Sequence, residues 1–211
     1  ALSSINIVCP VINLIVGLGT MLATGGSAVV AKKMGNGNAE EARSNFTLIV
    51  MTQFLLTTLY IGFSMGTAPI ISYNYGSRNV RRLKATVRIC FRFIAGISML
   101  VFLFSLLGGE NIARVFAENN RNVFEITKTG FSIFSFSFLF SGYNIFSSAL
   151  FTALSNGKAS AAISFLRTFV FITAFLLVLP QFLEVTGVWL AVPLAEFFAL
   201  IATVYLLFKA F

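Results

Sequence analysis

A chain of 211 residues with 57% hydrophobic and only 10% charged side chains cannot wet a soluble surface, for which about 25% charged residues is usual; lipid is the solvent that tolerates it. The absence of His and Asp removes the usual players of hydrolysis, imidazole metal ligation and triad chemistry, so no enzyme activity is expected. The net charge of +8 lies in short segments between apolar runs, which is the pattern of cytoplasmic loops and not of a nucleic-acid surface.

Six apolar segments predict an all-α polytopic membrane protein. They run from about Ile5 to Ala31, Phe54 to Tyr73, Ile89 to Leu107, Gly130 to Leu154, Ala161 to Leu179 and Gly187 to Phe208. Each approaches or exceeds the ~20 residues that a helix needs to cross ~30 Å of hydrocarbon. Gly35, Asn36, Gly37 and Asn38 end the first, and Asn38 with Glu41 can cap the next helix. Gly76, Ser77 and Asn79 punctuate the second, Asn119, Asn120 and Asn122 separate the third from the fourth, and Ser155, Asn156 and Gly157 form a tight turn. Pro180 is expected to close the fifth. Cys9 and Cys90 are far apart and have no metal or redox spacing, so they read as buried structural thiols.

Charge sets orientation. Arg78, Arg81, Arg82, Lys84, Arg88 and Arg92 come after the second span, Lys158 and Arg167 flank the turn after the fourth, and Lys209 lies beyond the sixth. The turn around Glu184 has no Lys or Arg, and the segment from Glu110 to Lys128 balances to zero. Alternating sides from the second span onward puts every basic loop in the cytoplasm. Lys32, Lys33 and Arg43 also read as cytoplasmic, yet a single span separates them from the Arg78 cluster. One crossing cannot join two loops on the same side, so either the first loop sits outside or an odd number of helices is missing near residue 50, and loss is the favoured reading. A shift of 41 residues pairs Gly25 with Gly66, Gly35 with Gly76 and Asn38 with Asn79, as two helix-plus-loop units of one design.

These residues resemble a known family. Gly25-Gly26-Ser27-Ala28-Val29-Val30 with Met34 to Asn38 after it is similar to the second helix and loop of MATE transporters. The run from Gly66 through Pro69 to Gly76 resembles their eighth helix. Ser164 through Arg167 to Pro180, then Gly187-Val188-Trp189 and Pro193-Leu194-Ala195-Glu196, resemble their last two. The resemblance implies residues 1–50 as a partial N-lobe-like segment and 51–211 as C-lobe-like helices, corresponding to family helices 8–12. It further implies a multi-pass protein of the plasma membrane that exports small organic cations or amphipathic drugs in exchange for protons or sodium. The second helix runs directly into the eighth, so a half-sized chain would work as a homo-oligomer or be a remnant that does not transport. A lipid-linked glycan flippase of the same superfamily is the other transport reading.

Glu196 lies near the middle of the sixth span, one turn beyond Pro193, and a carboxylate there costs about 2.5–3.5 kcal/mol unless it finds a cavity, a proton or a cationic partner. It reads either as a proton- or cation-responsive site, with Pro193 freeing backbone carbonyls nearby, or as a structural carboxyl bonded between helices. Asn74 and Tyr75 cap the second span or line a cavity at its mouth. Asn13 and Asn144 are amides inside spans, suited to interhelical hydrogen bonds or to a substrate. Gly62 and Gly66, four apart, suit close helix packing. Arg167 is expected to snorkel to the cytoplasmic headgroups, and the cluster of Arg78, Arg81, Arg82 and Lys84 to meet anionic lipid. Phe131, Phe134, Phe138, Phe140 and Phe146 read as lipid-facing.

Overall fold

A computed structural model describes residues 39–116 and 121–210, with side chains described at 57–108, 125, 128–184 and 186–210. The first expected span, with Cys9, Asn13 and the first unit of the repeat, lies outside these residues. Every described element is a helix: α1 (Ala39–Gly76), α2 (Val80–Phe116), α3 (Arg121–Ser135), α4 (Ser137–Ala153), α5 (Gly157–Phe165), a π-helical stretch (Leu166–Phe171) and α6 (Ile172–Ala210). Among the described residues four stretches are long and apolar enough to cross a membrane: Val80–Gly108, Lys128–Ala153, Gly157–Glu184 and Thr186–Ala210. They cover the last four expected spans except for Leu154, and α1 contains the second.

Helix α1 runs without interruption through residues 44–53 into the second expected span, and at 1.5 Å per residue is about 57 Å long. A difference from expectation concerns Pro180. The helix continues past it, because a proline removes one N–H but still accepts helical φ. The chain turns instead at Glu184, whose backbone leaves the helical region at φ 49° and ψ −127°. Gly187 comes just after the break, and a Cβ there would collide with the Leu179 carbonyl oxygen.

Two turns at one end of the bundle are built alike. After α1, Ser77 N–H donates to Tyr73 O and Asn79 N–H to Asn74 O, with Arg78 at φ 56° between them. After α4, Leu154 N–H donates to Leu150 O and Asn156 N–H to Phe151 O, with Ser155 at φ 60°. In both, the next residue is an asparagine whose side chain caps the next helix: Asn79 Oδ1 accepts from Arg82 N–H at 3.1 Å, and Asn156 Oδ1 from Ala159 N–H at 3.2 Å. The left-handed positions fall on Arg78 and Ser155, while Gly76 and Gly157 stay helical.

Ser72 Oγ donates to Ala153 O at 3.0 Å, which brings these two turns together. Leu207 packs on the same cluster as Leu83 and Ala153, so the end of α6 joins them. Arg78, Arg81, Arg82, Lys84, Lys158 and Lys209 therefore share one end, all of them exposed, while Arg88 and Arg92, also exposed, lie farther along α2. Helix α4 is the hub, touching α1, α2, α5 and α6. Near the basic end it packs Phe146, Leu150 and Ala153 against Ile71, Leu83, Val87, Cys90 and Ile94. Toward the far end Phe131, Phe134 and Phe138 pack on Val101, Ile97, Trp189 and Val192. Four of the five phenylalanines expected to face lipid are thus buried core, since the Phe-rich segment forms the central helix. The outward surface is instead supplied by residues such as Leu100, Phe104, Leu107, Phe169, Phe182 and Phe208.

Candidate functional site

Glu196 is buried to 2% exposure in the middle of the bundle. Ten residues separate it from the start of its span at Thr186, a depth of about 15 Å, half of the ~30 Å hydrocarbon core. Arg167 lies ten residues beyond Gly157, so it is equally deep. The expectation that Arg167 snorkels to the headgroups placed the helix start at Ala161; with the start at Gly157 the surface is out of reach. Its guanidinium turns inward, and Nε–H donates to Glu196 Oε1 at 2.7 Å. The π-helical stretch contains Arg167, and its wider turn re-aims a side chain on an otherwise lipid-facing helix.

Asn144 completes the arrangement from α4. Its amide Nδ2 donates to Glu196 Oε2 at 2.8 Å and to the Glu196 backbone oxygen at 2.9 Å, while its Oδ1 accepts from Thr203 Oγ1 at 3.0 Å. Both carboxylate oxygens are therefore engaged, one by a cation and one by an amide. Asn144 and Thr203 are fully buried. A charge-assisted bond of this kind compensates desolvation better when the other oxygen is also bonded, as the amide does here; each oxygen keeps a further acceptor site. Chemically the cluster is an ion pair able to exchange its partner: a carboxylate that holds a guanidinium can hold a proton or another cation. Among the described residues no group of three or more His, Cys, Asp or Glu could hold a metal ion.

The MatE family model matches residues 46–179, well over half of the chain. The chain belongs to the MATE family. No curated protein matches it significantly in sequence. The fold is similar to the Vibrio cholerae MATE transporter VcmN in the bent form, with a TM-score of 0.79 and 21% identity over 93% of this chain and 43% of that one. It is similar to the inward-facing conformation of a multidrug resistance MATE family transporter of the MOP superfamily, at 0.79 and 20% identity over 90% of this chain and 44% of that one. For the outward-facing conformation the values are 0.77 and 19%, over 90% and 42%. The chain spans about two fifths of the length of these solved transporters. As a MATE family member with four described membrane-crossing stretches, it is a membrane protein of a transporter family.

The other expected residues of this MATE fold are more dispersed. Pro193 is buried on α6, one turn from Glu196. Asn74 is buried at the end of α1, where its Nδ2 donates to Ile70 O at 2.9 Å, and Tyr75 is exposed. Neither lies in the Glu196 cluster. Gly62 and Gly66 do not form a packing face among the described residues, since a Cβ at either would meet nothing within 4 Å. The close approaches between helices are at Gly130, where a Cβ would run into the Trp189 indole, and at Gly142, where a Cβ would lie 2.7 Å from Tyr60 Cε1 and 2.8 Å from Ser98 Oγ. Two features went unread in the sequence. Ala191, Ala195, Ala199 and Thr203 recur every fourth residue and are all buried, a small-residue stripe on α6, which packs closely with α4. Thr203 is its polar end, and the four-residue spacing was the signal that could have found it.

Proposed function

We propose that the chain is a MATE-type transporting lobe that exports small organic cations or amphipathic drugs across the plasma membrane in exchange for protons or sodium. The observation that supports this reading is the Glu196 carboxylate at mid-membrane depth, held by Arg167 and Asn144, in a chain of this family. A buried ionisable group inside a span is expensive and defaults to a role in an ion or substrate pathway. Arg167 is paired with Glu196 in this structure, which supports the drug reading over a flippase whose phosphate-bearing lipid would call for an unpaired cation.

Expression in a host lacking its own drug pumps tests the proposal. The chain is expected to raise resistance to lipophilic cationic dyes, and Glu196→Gln to remove that gain at equal membrane abundance. Undiminished resistance with Glu196→Gln takes Glu196 out of the mechanism. A second reading, a non-transporting remnant, is favoured by the chain's spanning two fifths of its structural relatives. It predicts no resistance from the chain itself at any expression level.

A further inference from the structure

Helix α4 carries more polar side chains than the Glu196 cluster uses. Ser137, Ser141, Asn144, Ser148 and Thr152 succeed one another at intervals of three or four residues, so they share one face of the helix. The two halves of this stripe differ. Toward the basic end the hydroxyls satisfy one another. Ser148 Oγ lies 2.9 Å from Ser160 Oγ and 2.9 Å from Ser164 Oγ, and Thr152 Oγ1 donates to Ser160 Oγ at 2.8 Å. Toward the far end, Ser137 and Ser141 are 1% and 5% exposed, and their hydroxyls have no hydrogen-bond partner. Ser147, beside Asn144, shares that condition.

A helical serine can always turn back onto the carbonyl four residues earlier. Ser64 does so onto Tyr60 O at 2.7 Å, and Ser135 onto Phe131 O at 2.8 Å. Ser137 and Ser141 do not, although hydrocarbon offers them nothing else. Ser141 lies about 4.5 Å and Ser137 about 10.5 Å farther from the basic end than Asn144, along the face that leads to Glu196. A buried water needs two to four polar partners. Two free hydroxyls, together with the lone pairs of the Glu196 carboxylate, provide them in line.

We infer that Ser137 and Ser141 hold ordered water joining Glu196 to the aqueous phase at the far end, while the Ser148, Ser160 and Ser164 hydroxyl cluster seals it from the basic end. The carboxylate of this structure is thereby open to one side of the membrane. The inference concerns access to Glu196, not the solute carried, so it stands or falls independently of the export reading.

Cysteine accessibility tests it. In the full chain carrying Cys9→Ala and Cys90→Ala and reconstituted in vesicles, Ser137→Cys, Ser141→Cys and Ser164→Cys are compared with a membrane-impermeant methanethiosulfonate reagent. The reagent reacts with the thiolate, which forms only where water reaches. Ser137→Cys and Ser141→Cys are expected to react from the far-end side at least about tenfold faster than Ser164→Cys does from either side. Equal rates at all three positions, or faster reaction from the basic side, overturn the inference. Because a cysteine at Ser141 could disturb the packing, radiolytic labelling of the unsubstituted chain provides a second measure. Phe138 and Phe151 are matched in type and in burial, each 1% exposed. Radicals formed from ordered water should oxidise Phe138 at least about fivefold more than Phe151. Equal oxidation means that the far half of the stripe is dry and overturns the inference.

Discussion

Glu196 and Arg167 are each the remedy for the other's burial. Removing one charge strands its partner about 15 Å deep, whereas removing both leaves only a hydrogen-bonded amide to rearrange. Glu196→Gln or Arg167→Gln alone is therefore expected to destabilise the detergent-solubilised chain by about 3–5 kcal/mol. The double variant should lose clearly less than the sum. Unfolding midpoints for the two singles and the double check this, and additive losses would show that the pair is not coupled. Asn144 was legible in the sequence as an amide needing an interhelical partner, and it has two, Glu196 and Thr203. Glu196 was legible because a carboxylate stands out in an apolar run. Its partner was not, because Arg167 and Glu196 lie 29 positions apart and only helix packing sets which faces meet.

Helix spacing was the easier part of the sequence to read, and helix contact the harder. The four membrane-crossing stretches agree with the predicted ones to within five residues at every end but one, where Val80 precedes the predicted Ile89 by nine, since apolar length comes directly from bilayer thickness. Glycine pairs were a poorer guide. Gly62 and Gly66 have the right spacing for helix packing but face open space, whereas Gly142, with no such partner in sequence, sits against Tyr60 and Ser98. The substitutions should separate accordingly. Gly142→Ala must push the Tyr60 ring aside and is expected to cost about 1–3 kcal/mol. Gly62→Ala and Gly66→Ala add a better helix former at no steric cost and are expected to stabilise α1 by up to about 1 kcal/mol each. Thermal midpoints of the three variants test this, and a loss at Gly62 or Gly66 equal to that at Gly142 would contradict the packing described.

At the scale of the whole molecule the six basic residues at one end set a direction. The Ser72-to-Ala153 bond and the packing of Leu207 gather three separate sequence segments into one cationic surface. The positive-inside rule places that surface at the cytoplasmic leaflet. In intact cells, Arg81→Cys and Lys158→Cys should both resist an impermeant thiol reagent until the membrane is opened, while Glu184→Cys should react at once. Labelling of Arg81→Cys from outside would reverse the orientation.

The sequence by itself determined the solvent and the class, because lipid demands long apolar helices, and it set the expected sidedness, because the leaflet charge selects which loops are basic. It also marked Glu196 and Asn144 as residues that could not sit idle in hydrocarbon. Only the tertiary structure decided that Arg167 points inward, that the Phe-rich helix is the core and not the lipid face, and that α6 turns at Glu184 and not at Pro180. Those outcomes depend on which faces of six helical segments meet, and a 3.6-residue period specifies a face without naming its neighbour.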